Sequence, residues 1–357
     1  MANELGSKNF LLLLALETTY KTDKIDANLT ANTAINVLDV AVGSSIITKG
    51  EALKFDRVRN SSSPVAGAWI QNDTDLKING DLKAWRTGSS GGEMPHCADV
   101  LKICGHSETI VSATSSTYRP RTNNSDSATV YQMMRVIGSA TLQHKIRSAR
   151  GVRGQLDLIE MSVKNGLKFE ATLKGASYDQ VTPADTFISA AGVIAKRKAG
   201  TVVTYTGGLL QDSTNDFIGR AVVVTIDGQA FNCKSVRLKP GNAMTTLENM
   251  TGTTTTDEVF TVGLAPKLEI EIDGDDVEYK KLLTLLDTAK KCVGTVVMVT
   301  AGCKCTISFP VGQVAQDVAV VDNNGLEGYS TVLDLAGDYT TSVIGENAYS
   351  IKFETSP

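Results

Sequence analysis

The chain has 357 residues, of which 42% are hydrophobic and 21% charged, with a formal net charge of -4. That length exceeds one ordinary core and predicts two domains, while the apolar content excludes a wholly disordered chain. With no excess of positive charge there is no general attraction to nucleic acid, and aromatics at 6% beside plentiful Thr, Val, Ser and Gly favour sheets and short turns over helical bundles.

In chain order, the apolar run Phe10 to Leu16 is too short to span a bilayer. Lys8 precedes it, but Glu17 follows at once with no small-residue cleavage site, so it reads as an opening strand rather than a signal peptide. Ile35 to Val40 alternates as a second strand. Residues 41–70 read as a long irregular excursion, of the kind that is functional or ordered by a partner. Leu76 and Ile78 mark the next strand. Met94, Cys97, Ala98 and Leu101 then recur at helical spacing, with Gly105 as the stop. Residues 106–128 predict a hairpin or loop. Strands follow at Ala128 to Val136, Ala140 to Ile146, Gln155 to Val163 and Leu167 to Leu173, the last two joined at Asn165-Gly166, a strong hairpin signal.

Residues 179–200 read as a linker between a first domain at 1–178 and a second at 201–357. The second domain resumes β patterning with Val202, Val203 and Tyr205, then Val222 to Ile226, a turn at Asp227-Gly228, and Ala230 to Leu238. Lys267 to Ile272 is the cleanest amphipathic strand of the chain. A helix carrying Tyr279, Leu282, Leu283, Leu286 and Ala289 on one face comes next. Val296 to Thr300, Cys303 to Phe309, Val314 to Val321, Tyr329 to Leu335 and Ala348 to Phe353 complete the strands.

The two halves run through the same order. Leu76 and Ile78 lead to Gly80, as Leu268, Ile270 and Ile272 lead to Gly274, and one helix follows each. Asn165-Gly166-Leu167 to Gly175 is matched by Asn324-Gly325-Leu326 to Gly337. Internal repetition fixes architecture. The predicted fold is mainly β, two tandem β-sandwich or barrel domains with one flanking α-helix each.

Three segments carry a resemblance. Leu13-Leu14-Ala15-Leu16-Glu17-Thr18-Thr19-Tyr20-Lys21-Thr22-Asp23, Ala128-Thr129-Val130-Tyr131, and Leu142 to Gly151 ending in Ala149-Arg150-Gly151 are similar to the tail tube proteins of long-tailed bacteriophages, in the group with two tube domains per chain. Leu268 to Ile272, Asp322 to Gly325 and the closing strand to Phe353 resemble the second tube domain. The resemblance covers nearly the whole chain through the order and spacing of motifs that are individually weak. It implies a structural virion protein whose rings stack into the tube through which the genome passes. A trimer of two-domain chains would form a pseudo-hexameric ring. The implied partners are further copies of the chain, the tape measure, the tail terminator and the distal tail or baseplate proteins. Phage DNA passes without specific binding, and no membrane is involved. The implied location is the virion tail, made in the host bacterial cytoplasm.

Two charged sets are candidate assembly or channel residues. Glu269, Glu271 and Asp273 form an acidic strand face, either lining the channel or facing outer solvent. Lys145, Arg147, Arg150 and Arg153 form a basic hairpin, either an inter-subunit salt-bridge surface or a solvated turn. No cofactor, metal or catalytic set is expected. Cys97 and Cys104 lack a close Cys-x-x-Cys partner, and the six cysteines read as free, mostly buried thiols. Neither a Gly-x-Ser-x-Gly elbow nor a phosphate-cradling loop is present. The competing reading is a β-sandwich adhesin or carbohydrate-binding virion protein, against which stands the scarcity of aromatic platforms, Trp69 and Trp85 being the only tryptophans.

Overall fold

The computed structural model describes residues 4–25, 36–38, 41–42, 47–53, 68–82, 97–111, 114–121, 126–137, 144–162, 166–181, 194–195, 202–203, 222–248, 256–274, 276–287, 291–300, 303–315, 318–323, 326–337 and 347–355. The first half contains β1 (Glu4–Leu16), β2 (Asn36–Leu38), β3 (Ala41–Val42), β4 (Ile47–Leu53), β5 (Ala68–Asp81), α1 (Ala98–Ile103), β6 (His106–Val111), β7 (Ser115–Pro120), β8 (Ala128–Ile137), β9 (His144–Ser162), β10 (Gly166–Gly175) and β11 (Ser177–Val181). A short ladder of β12 (Ile194–Ala195) and β13 (Val202–Val203) follows. The second half contains β14 (Val222–Ile226), β15 (Gln229–Lys239), β16 (Ala243–Glu248), β17 (Thr256–Val262), β18 (Lys267–Asp273), α2 (Asp276–Asp287), β19 (Cys292–Thr300), β20 (Cys303–Val314), β21 (Ala319–Asn323), β22 (Leu326–Ala336) and β23 (Ser350–Thr355). The protein is mainly β.

Strand pairing closes each half on itself. In the second half β14 pairs with β15, β15 with β18, β18 with β22, β22 with β20, β20 with β19, and β19 with β14 again. In the first half β2, β3 and β4 together fill one position: β2 pairs with β1, and β3 and β4 pair with β5. From there β5 pairs with β10, β10 with β9, β9 with β8, and β8 with β1. Both circuits are antiparallel and follow the same order, with one helix between the third and fourth ring positions. Closure leaves few open edges, which is what a small β-barrel achieves. The halves differ in their insertions, the β6–β7 hairpin after α1 and the β16–β17 hairpin before β18.

Alternation of side chains explains which face is buried. Leu167, Phe169, Ala171 and Leu173 of β10 point into the first core, beside Leu76 and Ile78 of β5. Leu268, Ile270 and Ile272 of β18 occupy the same place in the second, with Val236, Leu238 and Leu333. The short α1 is sunk in the first unit, its Ala98, Val100, Leu101 and Ile103 all buried. It reaches β9 because Gly154 has no side chain: a Cβ there would lie 2.5 Å from Cys104 Sγ and 2.8 Å from Leu173 Cδ2. Gly105, at φ 87°, ends the helix turn as its position predicts. In α2 Leu282 is buried as expected, together with Glu278 and Leu285, and Tyr279 and Leu283 are half-buried; the Leu286 side chain and Ala289 lie outside the described residues. Tyr279 stacks on Tyr329 at 4.5 Å and Lys281 bonds the carbonyl of Ala230 at 2.9 Å, so the helix bridges the starts of β22 and β15.

Several elements differ from the sequence expectation. The excursion at 41–70 contains β4, which pairs with the first part of β5. The strands expected at 140–146 and 155–163 are parts of a single 19-residue strand, β9. β11 continues the line of β10 along β9 and carries the first unit to Val181, three residues beyond the expected boundary at 178. The helix onset at Met94 and the turn at Gly138-Ser139 lie outside the described residues.

Candidate assembly surface and the joint between units

β9 is longer than its own ring requires, and its far end is where the two units meet. Its first part pairs with β8, whereas on that same edge residues 159–162 pair with β15: Ile159 with Leu238, Glu160 with Arg237, Met161 with Val236 and Ser162 with Ser235. The other edge of β9 pairs with β11 over residues 146–150 and with β10 over residues 153–162. A sheet therefore runs without a break from β4 and β5 through β10 and β9 into β15, β18 and β22. A second joint lies at the end of the chain, where β23 pairs with β7 and Ile351 sits opposite Tyr118. Tyr118 meets Phe353 edge-on at 6.1 Å.

Beside the first joint, Arg153 of β9 fastens the β16–β17 hairpin of the second unit. Its guanidinium, only 4% exposed, lies 2.9 Å from Glu258 Oε1 and donates to the carbonyl of Val259 at 2.5 Å. The rings of Tyr20 and Phe260 flank it at 5.1 and 5.6 Å. Tyr20 accepts a bond from the Val259 amide at 3.0 Å, and burial pushes its phenol up to about 12. Thr261 donates to the carbonyl of Gly154 at 3.2 Å, and Asn242 to that of Cys104 at 2.9 Å.

Tyr20 sits in the polar exit of the first strand, and that exit is organised by one carboxylate. Glu17 accepts four bonds: the Gly151 and Lys21 amides, both at 2.9 Å, Ser127 Oγ at 2.7 Å and Thr129 Oγ1 at 3.0 Å. Gly151 approaches because it has φ 61° and no Cβ, which would lie 2.9 Å from Tyr20 Cζ. Asp23 accepts from the Tyr131 hydroxyl and lies 3.6 Å from Arg150 Nε. The three segments that carry the resemblance, around Glu17, Thr129 and Gly151, thus meet in one polar cluster.

The second joint has its own polar lock. His106 is buried, with Nδ1 at 3.1 Å from the Leu101 carbonyl and Nε2 at 2.7 Å from Tyr349 Oη. Burial lowers the imidazole from 6.5 to about 4, against smaller opposing effects of nearby backbone, so the ring is neutral at pH 7.

The basic candidates belong to the second strand of the antiparallel β8–β9 pair. All four lie along the single strand β9. Arg153 and Arg150 are engaged within the chain, because the neighbouring Glu258 and Asp23 come from elements folded against that strand. Arg147 is half-buried opposite Gln132 and Gln180, and the side chain of Lys145 lies outside the described residues. The acidic candidates, too, sit in a face of mixed sign. Glu269 pairs with Lys239 at 2.5 Å and Glu271 with Lys234 at 3.1 Å. Partial burial raises the Glu271 carboxyl, but the Lys234 ammonium and Ser235 hydroxyl outweigh it and hold it below the ordinary glutamate range. Asp273 lies opposite Gly328 on the same strand.

The register extends this pattern across both units. Asp81, Lys168, Glu160, Arg237 and Glu269 stand side by side on five consecutive strands, alternating in sign across the joint. Arg237 and Glu160 approach to 3.8 Å. Of this row the sequence reading found only Glu269, because cross-strand register brings together residues far apart in the chain. Five cysteines, Cys97, Cys104, Cys233, Cys292 and Cys305, are buried free thiols. Among the described residues no three His, Cys, Asp or Glu side chains gather as a metal site, and no helix is long and apolar enough to cross a membrane. No family model matches the chain, and no curated protein sequence matches it.

Two outcomes test this geometry. Glu17→Ala strands several donors and lowers the unfolding free energy by roughly 3 kcal/mol, measured by urea titration; Glu17→Gln, which keeps one acceptor oxygen, loses less. The lowered His106 value means its contribution is complete above pH 6.5 and is lost as the pH falls toward 4, amounting to about 3 kcal/mol over that window. Melting curves of the wild type therefore fall more steeply between those pH values than curves of His106→Gln, in which the carboxylates titrate alike.

Proposed function

We propose that the chain is a structural virion protein, not an enzyme, that assembles with copies of itself into stacked rings forming the tail tube of a long-tailed bacteriophage. The observation that carries this reading is the repeated circuit whose sheet continues from one unit into the next, an arrangement suited to further continuation between chains. The convergence of the three resembling segments on Glu17 supports it, since residues set apart along the chain serve one local structure. Three chains, each with two units, build a pseudo-hexameric ring. The tape measure, tail terminator and distal tail or baseplate proteins are its partners in the virion tail, and the host bacterial cytoplasm is where it is made.

On this reading the polar sheet face carrying Glu160, Arg237 and Glu269 lines the channel. DNA affinity grows with each phosphate that a cation neutralises. Lysines and arginines already facing carboxylates offer little further gain, so DNA slides past.

Electron microscopy of the purified protein at high concentration tests the proposal. Hollow tubes or rings of uniform bore, with three chains per ring, are expected. Six chains per ring contradicts the pseudo-hexamer, and a monodisperse monomer at every concentration contradicts the assembly itself.

A further inference from the structure

A cavity of about 310 Å³ lies between the two units, beside the second joint. The first unit contributes His106 and Arg121, at the base of the β6–β7 hairpin. The second contributes Asn242, Val262 and Leu264, at the base of the β16–β17 hairpin, and Tyr349 ahead of β23. Both hairpins are insertions in which the units differ, so the space is built by what was added to the repeated circuit and not by the circuit itself.

One buried polar atom of this wall has no partner. Asn242 is 6% exposed; its Nδ2 donates to the Cys104 carbonyl at 2.9 Å, and among the described residues its Oδ1 meets no donor. Buried acceptors left in that state are rare in native structures, and each one asks for an explanation. The space is roughly ten times the share of a single water in the liquid. It reaches the size at which small-molecule pockets begin.

The walls also select for charge. Among the described residues no carboxylate lines the cavity, and Arg121 is its one charged side chain. The contact of Arg121 Nη1 with Asp126 Oδ2, at 3.4 Å, engages one of the five guanidinium donors. His106 adds no second charge. Its Nδ1 faces the Leu101 carbonyl, which only accepts, so Nδ1 holds the hydrogen and Nε2 accepts from the Tyr349 hydroxyl. Val262, 43% exposed, and Leu264 supply apolar surface.

We propose that this cavity binds a small organic acid that carries an N–H or O–H donor, with its carboxylate on Arg121, its donor on Asn242 Oδ1 and its apolar part against Val262 and Leu264. One polar contact comes from each unit, so the bound acid ties the units together and stabilises the chain in proportion to its occupancy. The site goes beyond the tube reading and does not depend on it.

Three probes separate the contacts. N-acetyl-leucine has the carboxylate, the amide N–H and an apolar side chain; N-acetyl-leucinamide lacks the charge, and 4-methylpentanoate lacks the donor. Ligand-observed NMR titration against the full chain gives N-acetyl-leucine a Kd on the order of 1 mM, in keeping with its small size. Each analogue binds roughly tenfold more weakly, the value of one good hydrogen bond to a charged or buried group. Arg121→Gln, at a partly exposed position whose ion pair adds little stability, keeps the melting temperature and binds the acid no better than its amide. Equal affinity for the acid and either analogue, or an Arg121→Gln protein that still prefers the acid, overturns the site. So does the absence of saturable binding by any probe up to about 30 mM, which would mean that the space holds water alone. The wild-type comparison of the three probes decides the matter even if the variant fails to fold, and none of these results bears on whether the chain assembles.

Discussion

Four consecutive residues of β9, Ile159 to Ser162, lie against four of β15, and the relation between the units depends on that ladder. Each unit closes its own circuit of strands, so neither needs the other to satisfy most of its backbone. What makes them one body is that β9 and β15 both outrun their own rings and share the overhang. The ladder buries Ile159, Met161, Val236 and Leu238 together, coupling hydrogen bonds to apolar burial. A joint of this kind sets a fixed rotation between units, because register and twist are determined by backbone geometry rather than by side-chain adjustment.

The polar groups around the ladder act as guides more than as sources of stability. Arg153 satisfies the carbonyl of Val259 and the carboxylate of Glu258 while its flat face fills the space between two rings. Such a site is demanding, since removing one partner leaves a buried charge without compensation. Glu17 does similar work at shorter range, drawing the turn after β1 onto β8 and β9. Exposed pairs such as Lys239 with Glu269 contribute little individually. Their regular alternation matters instead for the field the sheet presents.

The repeated order of strands and the helices α1 and α2 were readable from apolar alternation and turn residues, because a half-buried strand such as Lys267 to Ile272 writes its inner face into the sequence. The Asn-Gly positions bracketed the β9–β10 and β21–β22 hairpins for the same reason. Less was legible where pairing is long-range. β4, with Lys49, Gly50 and Glu51 inside it, has no clean alternation, and only its ladder with β5 makes it a strand. β9 looked like two strands because Gly151 and Gly154 interrupt its pattern, yet both glycines are there to admit close neighbours, Tyr20 and Cys104. The basic residues were visible as a cluster, but their partners Asp23 and Glu258 lie more than a hundred residues away.

Sheet continuity between the units is the point at which the whole account is most exposed. Amide hydrogen exchange on the native chain measures it residue by residue. If β9 and β15 form one ladder, the amides of residues 159–162 and 235–238 that point into it exchange only through the global unfolding of the chain, as slowly as those at the centre of β10 and β18. Exchange at the joint that is faster by orders of magnitude, while both cores stay protected, would mean that the units separate in solution and would contradict the single continuous sheet.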